Sequence, residues 1–141
     1  MVKRHSVEEA RTIERFKDRY ARAGTRAERA VEKAAIGANV GSNGYTTIEQ
    51  ADKIGRLAGL RRGMRLLDIG CGRGYPGLYL ARKTGCSVVE SDLPLASVRL
   101  AVRRAERQRT AGRARFVLSS AVYPPFRPGS FDAIVHTDVM C

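Results

Sequence analysis

The run LLDIGCGRGYPG, from Leu66 to Gly77, places four glycines in twelve residues directly behind an apolar stretch. Apolar residues in so short a run read as a buried strand. A glycine cluster at its end reads as a tight strand-to-helix turn whose backbone approaches something closely. The residues that follow keep to that grammar. A helix is expected from about Tyr75, with Pro76 in its first turn and Gly85 as its stop. CSVVES makes a second strand, and the next helix carries Leu95, Val98, Val102 and Ala105 inward. ARFVL is a third strand and FDAIV a fourth, after a proline-rich loop. Strands alternating with helices of crossover length predict a parallel sheet in an α/β fold, with the C-terminal strand ends gathered along one ligand-binding edge.

Residues 1–60 have a different texture and read as a helical segment, separate from the α/β part over 61–141. Ser6 to Glu9, Thr25 to Glu28 and Thr47 to Gln50 each fit the S/T-x-x-E/Q capping box. Val7, Ala10, Ile13, Phe16 and Tyr20 recur at helical spacing after the first. Ile48, Ala51, Ile54, Leu57 and Ala58 do so after the third, with Gly59 at the C-cap. IGANVGSNGYTT between them is a loop, in which Tyr45 reads as a surface turn or as a cover for a ligand.

The formal charge of +12, carried mostly by 21 arginines, raises the question of a nucleic-acid partner. Acidic residues interleave throughout, and Arg99, Arg103 and Arg107 repeat every four residues as on a solvated helix face. No nucleic-acid module is evident, so a small-molecule partner is favoured. Three cysteines (Cys71, Cys86 and Cys141) show neither a C-x-x-C pair nor metal-ligand spacing, so no metal is expected. With no apolar signal region and no run long enough to span a bilayer, the expected address is the cytoplasm, without a membrane partner.

Two ligands compete for the glycine loop. A dinucleotide pyrophosphate needs G-x-G-x-x-G opening onto a helix N-terminus. Starting that pattern at Gly72 leaves Asp68 inside the strand, and starting it at Gly70 puts Tyr75 at the third glycine. The other frame is Asp68-x-Gly70-x-Gly72-x-Gly74, with a carboxylate at the strand end. It suits a ligand with an ammonium and a sulfonium, such as S-adenosyl-L-methionine. Asp92, eighteen residues beyond Gly74, ends the second strand, where it can accept from both hydroxyls of a ribose or help to cap the next helix.

With these residues in place, the chain from Met64 onward resembles the class I S-adenosylmethionine-dependent methyltransferases. LLDIGCGRG matches the family's first motif and VVESDLP its second. RFVLSSAVYPPFRPGSFDAIVHTDVMC resembles its third-strand to fourth-strand segment. The resemblance implies a Rossmann-like sheet of order 3-2-1-4. It assigns Asp68, Gly70 and Gly72 to the methionine end of the cofactor, Asp92 to the ribose, Leu93 to the adenine face, and Ser120 with Ala121 to the adenine edge. Cys71 and Gly74 complete the candidate cofactor loop, Cys71 as a small side chain in a crowded turn. Ser120 stands where the family often has an acidic residue.

No catalytic residue is singled out. His136, at the end of the fourth strand, reads as a structural histidine or as a general base. YPPF, Tyr123 to Phe126, reads as a turn and not as the D/N-P-P-Y signature of amino-group methyltransferases. The family's sheet continues for three strands beyond the fourth. The expectation is therefore a truncated cofactor-binding half with FDAIV as an open apolar edge, prone to self-association and without robust turnover. Three readings stand: a small-molecule methyltransferase, a catalytically incomplete cofactor-binding fragment, and an NAD-dependent oxidoreductase.

Overall fold

The computed structural model describes residues 6–139, so Cys141 lies outside the described residues. Three helices come first: α1 (Val7–Ala21), α2 (Arg26–Ile36) and α3 (Ile48–Leu57). They are followed by β1 (Arg65–Ile69), α4 (Gly77–Thr84), β2 (Ser87–Asp92), α5 (Leu95–Arg107), a 3-10 turn at Ala111–Arg113, β3 (Ala114–Leu118) and β4 (Ala133–His136). The strands form one sheet in the order β3-β2-β1-β4, and every neighbouring pair is parallel.

The helix starts follow the caps. Reciprocal capping boxes close α1 at Ser6 and Glu9 and α3 at Thr47 and Gln50. At α2 only half of the box forms. Thr25 accepts from the Glu28 amide at 3.2 Å, but the Glu28 carboxylate turns instead to the Gly24 amide and to Arg73. α4 begins at Gly77, two residues later than expected, with Pro76 as its N-cap. The preceding turn uses left-handed backbone at Gly72 and Gly74, which a helix cannot include.

Register explains the core. Leu66 pairs with Val88 and Ala133, and Val88 with Ala114, so these side chains share one sheet face. α4 and α5 cover that face with Leu78, Leu80, Ala81 and Ala105. The N-terminal helices do not cover the opposite face. α1 packs on α5 and α3 on α4, which makes them a third layer outside the first two. Ile36, Val40, Ala51 and Tyr75 form a second small core there, and Lys83 and Tyr79 clip α4 to Asp52 of α3 at 2.6 Å each. Val7 and Leu57, expected on buried stripes, are exposed because only part of each helix meets the layer beneath. Across the opposite face, Arg65 lies over the Phe131 ring, which meets Phe126 edge-on. Ile134 of β4, an edge strand, is 62% exposed.

No described helix is long and apolar enough to cross a membrane, and the described residues hold no cluster of three or more metal-ligating side chains.

Candidate functional site

The C-terminal ends of β1, β2 and β3 meet at one edge and are tied together there. The amides of Gly70 and Cys71 both donate to the Ser91 carbonyl, at 2.7 and 3.1 Å, extending the β1–β2 pairing into the glycine loop. Ser119 donates to the Asp92 carbonyl at 3.0 Å, and the hydroxyls of Ser91 and Ser119 are 2.7 Å apart. The loop turns with positive φ at Gly70, Gly72 and Gly74. None of the three has room for a side chain: at Gly72, for example, a Cβ would run into the Asn43 side chain. Above Gly70 sits Val139, from the stretch after β4.

Asp92 stands at the centre of this edge. Its Oδ2 accepts from the Gly72 amide at 2.9 Å and from Ser97 Oγ at 2.7 Å, and its Oδ1 from the Leu93 amide at 2.8 Å. Burial raises its pKa in spite of these donors. Leu93 follows it, partly exposed. Ser120 Oγ accepts from the Val122 amide at 3.2 Å, and Ala121 is exposed beside it. The structure therefore brings Gly70, Cys71, Gly72, Gly74, Asp92 and Leu93 together on one edge, with Ser120 and Ala121 just beyond β3.

Asp68 lies beneath the loop, 1% exposed. Its Oδ2 accepts from the Gly77 amide at 2.8 Å, at the N-terminus of α4. Directly across the β1–β2 ladder is Glu90, which the sequence reading did not single out. Glu90 is fully buried, and neither its oxygens nor Asp68 Oδ1 meet a nitrogen or hydroxyl donor. What faces Glu90 is the Asp68 carboxyl and the Cys71 thiol. Burial pushes Asp68 up to about 7 and holds Glu90 well above the usual carboxylate range, with the neighbouring Asp68 charge acting in the same direction. Two carboxyls in so dry a place retain a proton between them. Cys71 is held neutral by burial and by the three acids around it.

The N-terminal segment closes over the loop. Asn43 donates to the Tyr20 hydroxyl at 3.2 Å and accepts from Arg73 Nε at 2.8 Å. Burial, and then the Asp92 charge, raise the Tyr20 phenol. Asp138 Oδ2 accepts from the Tyr45 amide at 3.1 Å and the Thr46 hydroxyl at 3.3 Å. His136 is exposed at the end of β4, and the Tyr45 side chain is 87% exposed. Of these residues, Tyr20 carried a signal as the last apolar position on α1. Asn43 carried none beyond its place in a glycine-rich loop.

Residues 66–141 match the family described as methyltransferase domain. The methyltransferase GfsG of Streptomyces halstedii is 36% identical over 72 residues, which is 51% of this chain and 26% of that protein. The erythromycin 3''-O-methyltransferase of Saccharopolyspora erythraea is 33% identical over 87 residues, 61% of this chain and 28% of that protein. A SAM-dependent methyltransferase from Thiobacillus denitrificans, solved in complex with S-adenosyl-L-homocysteine, superposes with a TM-score of 0.62 at 26% identity, covering 82% of this chain and 44% of that one. The chain thus spans about a quarter of the length of these two curated relatives.

Proposed function

We propose that this chain, which belongs to the class I S-adenosylmethionine-dependent methyltransferase family, binds S-adenosyl-L-methionine over the glycine loop and Asp92 and serves methyl transfer to a small molecule. The observation that carries this reading is the acid beneath the loop. A dinucleotide fold offers its pyrophosphate the free amides of a helix N-terminus. Here the first helical amide, Gly77, is taken by Asp68 at 2.8 Å, with Glu90 packed against the same point. Buried acid at that position opposes a diphosphate and favours a ligand whose reacting end is cationic. The oxidoreductase reading is disfavoured on the same ground.

The residues present suit the cofactor. Its bound form supplies an electrophilic methyl group on a sulfonium sulfur. Asp68 supports the loop from below, and Gly70, Cys71, Gly72 and Gly74 give the methionine end a backbone without bulky side chains. Asp92 keeps about one acceptor site, on Oδ1, for a ribose hydroxyl after its three hydrogen bonds, since a carboxylate has about four lone-pair sites. Leu93 would offer an apolar face to the adenine, and Ser120 with Ala121 would meet its edge. Within the helical segment, Tyr20, Asn43 and the Thr46–Asp138 contact act as a cover for the α/β unit. Methyl transfer of this kind rests on positioning and on exclusion of water, so it asks for no general base at His136.

A small-molecule acceptor is supported by the relative named for O-methylation of erythromycin, and a cytoplasmic address by three cysteines without pairing motifs. Isothermal titration tests the reading. S-adenosylhomocysteine should bind saturably and NAD should not. NAD binding without S-adenosylhomocysteine binding would reverse the assignment.

A further inference from the structure

Arginines converge on a second place, behind the glycine loop. On α5, Leu100, Arg103, Arg104 and Arg107 share one face through their three- and four-residue spacing. Arg99, Arg103 and Arg107 are exposed, as their four-residue repeat suggests, but the face also looks towards the N-terminal helices. With Ala23 and Gly24 of the α1–α2 turn, Arg29 and Glu32 of α2, and Arg73 of the glycine loop, it encloses a cavity of about 420 Å³. Small-molecule sites occupy about 300–1,000 Å³.

The charges around this cavity do not balance. Glu32 is the one carboxylate in its wall, and its Oε1 is committed to the loop, accepting from the amides of Val40, Gly41 and Ser42 at 3.0, 2.6 and 2.7 Å. Arg73 donates to Asn43 and to the Ser42 carbonyl and pairs with Glu28 at 3.3 Å, and Arg29 donates to the Gly24 carbonyl. Arg103, Arg104 and Arg107 take no ion pair among the described residues. Arg104 Nε is buried with no acceptor at all. Burial, then the like charge of Arg73, lower the Arg104 pKa. A buried donor without an acceptor, inside a ring of like charges, is the arrangement an anion completes.

We infer that this cavity is a binding site for a small molecule carrying a diphosphate group, separate from the cofactor edge. Three unpaired guanidinium forks around one space match two adjacent phosphates, because each fork can grip two oxygens and the charges balance. A single carboxylate would leave two of the three unmatched. Leu100 and Ala23 supply an apolar wall for the part of the ligand that carries the diphosphate.

The test is isothermal titration of the whole chain with inorganic pyrophosphate and, in a second arm, with adenosine diphosphate, at physiological salt. Pyrophosphate should bind with a Kd below about 100 μM, and Arg103→Ala/Arg107→Ala should weaken it by about tenfold or more. Both side chains are exposed on a helix that tolerates alanine, so S-adenosylhomocysteine affinity serves as the folding control and should be unchanged. Tighter binding of adenosine diphosphate identifies a nucleotide as the source of the group, and equal binding identifies free diphosphate. The inference is overturned by the absence of saturable pyrophosphate binding, by equal affinity in the double variant, or by salt-sensitive nucleic-acid binding that pyrophosphate does not displace.

Discussion

Gly77 is the residue on which the architecture beneath the loop can be tested most sharply. A Cβ built there would fall inside van der Waals contact with Glu90 Oε1. It would also lie 2.7 Å from Asp68 Oδ2 and 2.9 Å from Asp68 Cβ. Both acids are fully buried and flanked by neighbouring strands, so neither has room to swing away. Overpacking of this kind costs about 1–3 kcal/mol. Backbone movement would ease the overlap, but it would lengthen the 2.8 Å bond from the Gly77 amide to Asp68, a charge-assisted bond worth about 1.5–3 kcal/mol. The better helix propensity of alanine returns up to about 1 kcal/mol. Gly77→Ala should therefore lose about 2–4 kcal/mol in urea unfolding at constant pH. Glu90→Ala removes the nearer obstacle, so the double variant should be less destabilised than the sum of the two by about 1 kcal/mol or more. A Gly77→Ala protein within about 0.5 kcal/mol of wild type, or strict additivity, would refute the packing argument.

Other outcomes follow from the same description. The Asp68 carboxyl is raised from 3.8 to about 7, so the folded state holds more protons than the unfolded one across that window. The stability this buried pair contributes is therefore fully present below about pH 4 and falls as pH rises towards 7. Glu90→Gln should make that fall shallower in urea midpoints, and a rise in stability over the same window would contradict the assignment. Asp92→Ala should weaken S-adenosylhomocysteine binding by about 1.5–3 kcal/mol in calorimetry; unchanged affinity in a folded variant would remove Asp92 from the site. Thr47→Ala breaks a complete capping box and should cost about 1 kcal/mol in thermal or urea unfolding.

The sheet was legible because its strands are short apolar runs broken by glycine and proline. β1 and β3 fall where the apolar runs place them, and β2 and β4 shift by one or two residues at ends that carry mixed polarity. The gathering of the glycines and Asp92 on one edge was legible because they sit at fixed distances along the chain, at the ends of two apolar runs. Glu90 was not, since an acid inside a strand gives no sign of whether it points outward or across the ladder at another acid. The third helical layer was hidden for a related reason. The apolar stripe of a helix shows that it packs, not whether the partner is a sheet or another helix. Arg103 and Arg107 repeat as a solvated face would, and only the fold of α1 and α2 back over α5 turns that face into a cavity wall.

The placement of β1 in the middle of the sheet has a consequence in time. Its neighbour β2 emerges soon after it, but its other neighbour, β4, begins about 60 residues beyond Ile69. At ~5–20 residues per second, β1 would wait roughly 3–12 s during synthesis with one backbone edge unpaired. Leu66 and Leu67 lie on opposite faces of that waiting strand. When β4 arrives, Asp132 fixes its register at once, accepting from the Arg65 amide at 2.7 Å and returning a backbone bond to the Arg65 carbonyl at 2.9 Å. The residue just ahead of β4 thus works as a latch. It selects the correct partner for an edge that has been available to every other strand in its surroundings.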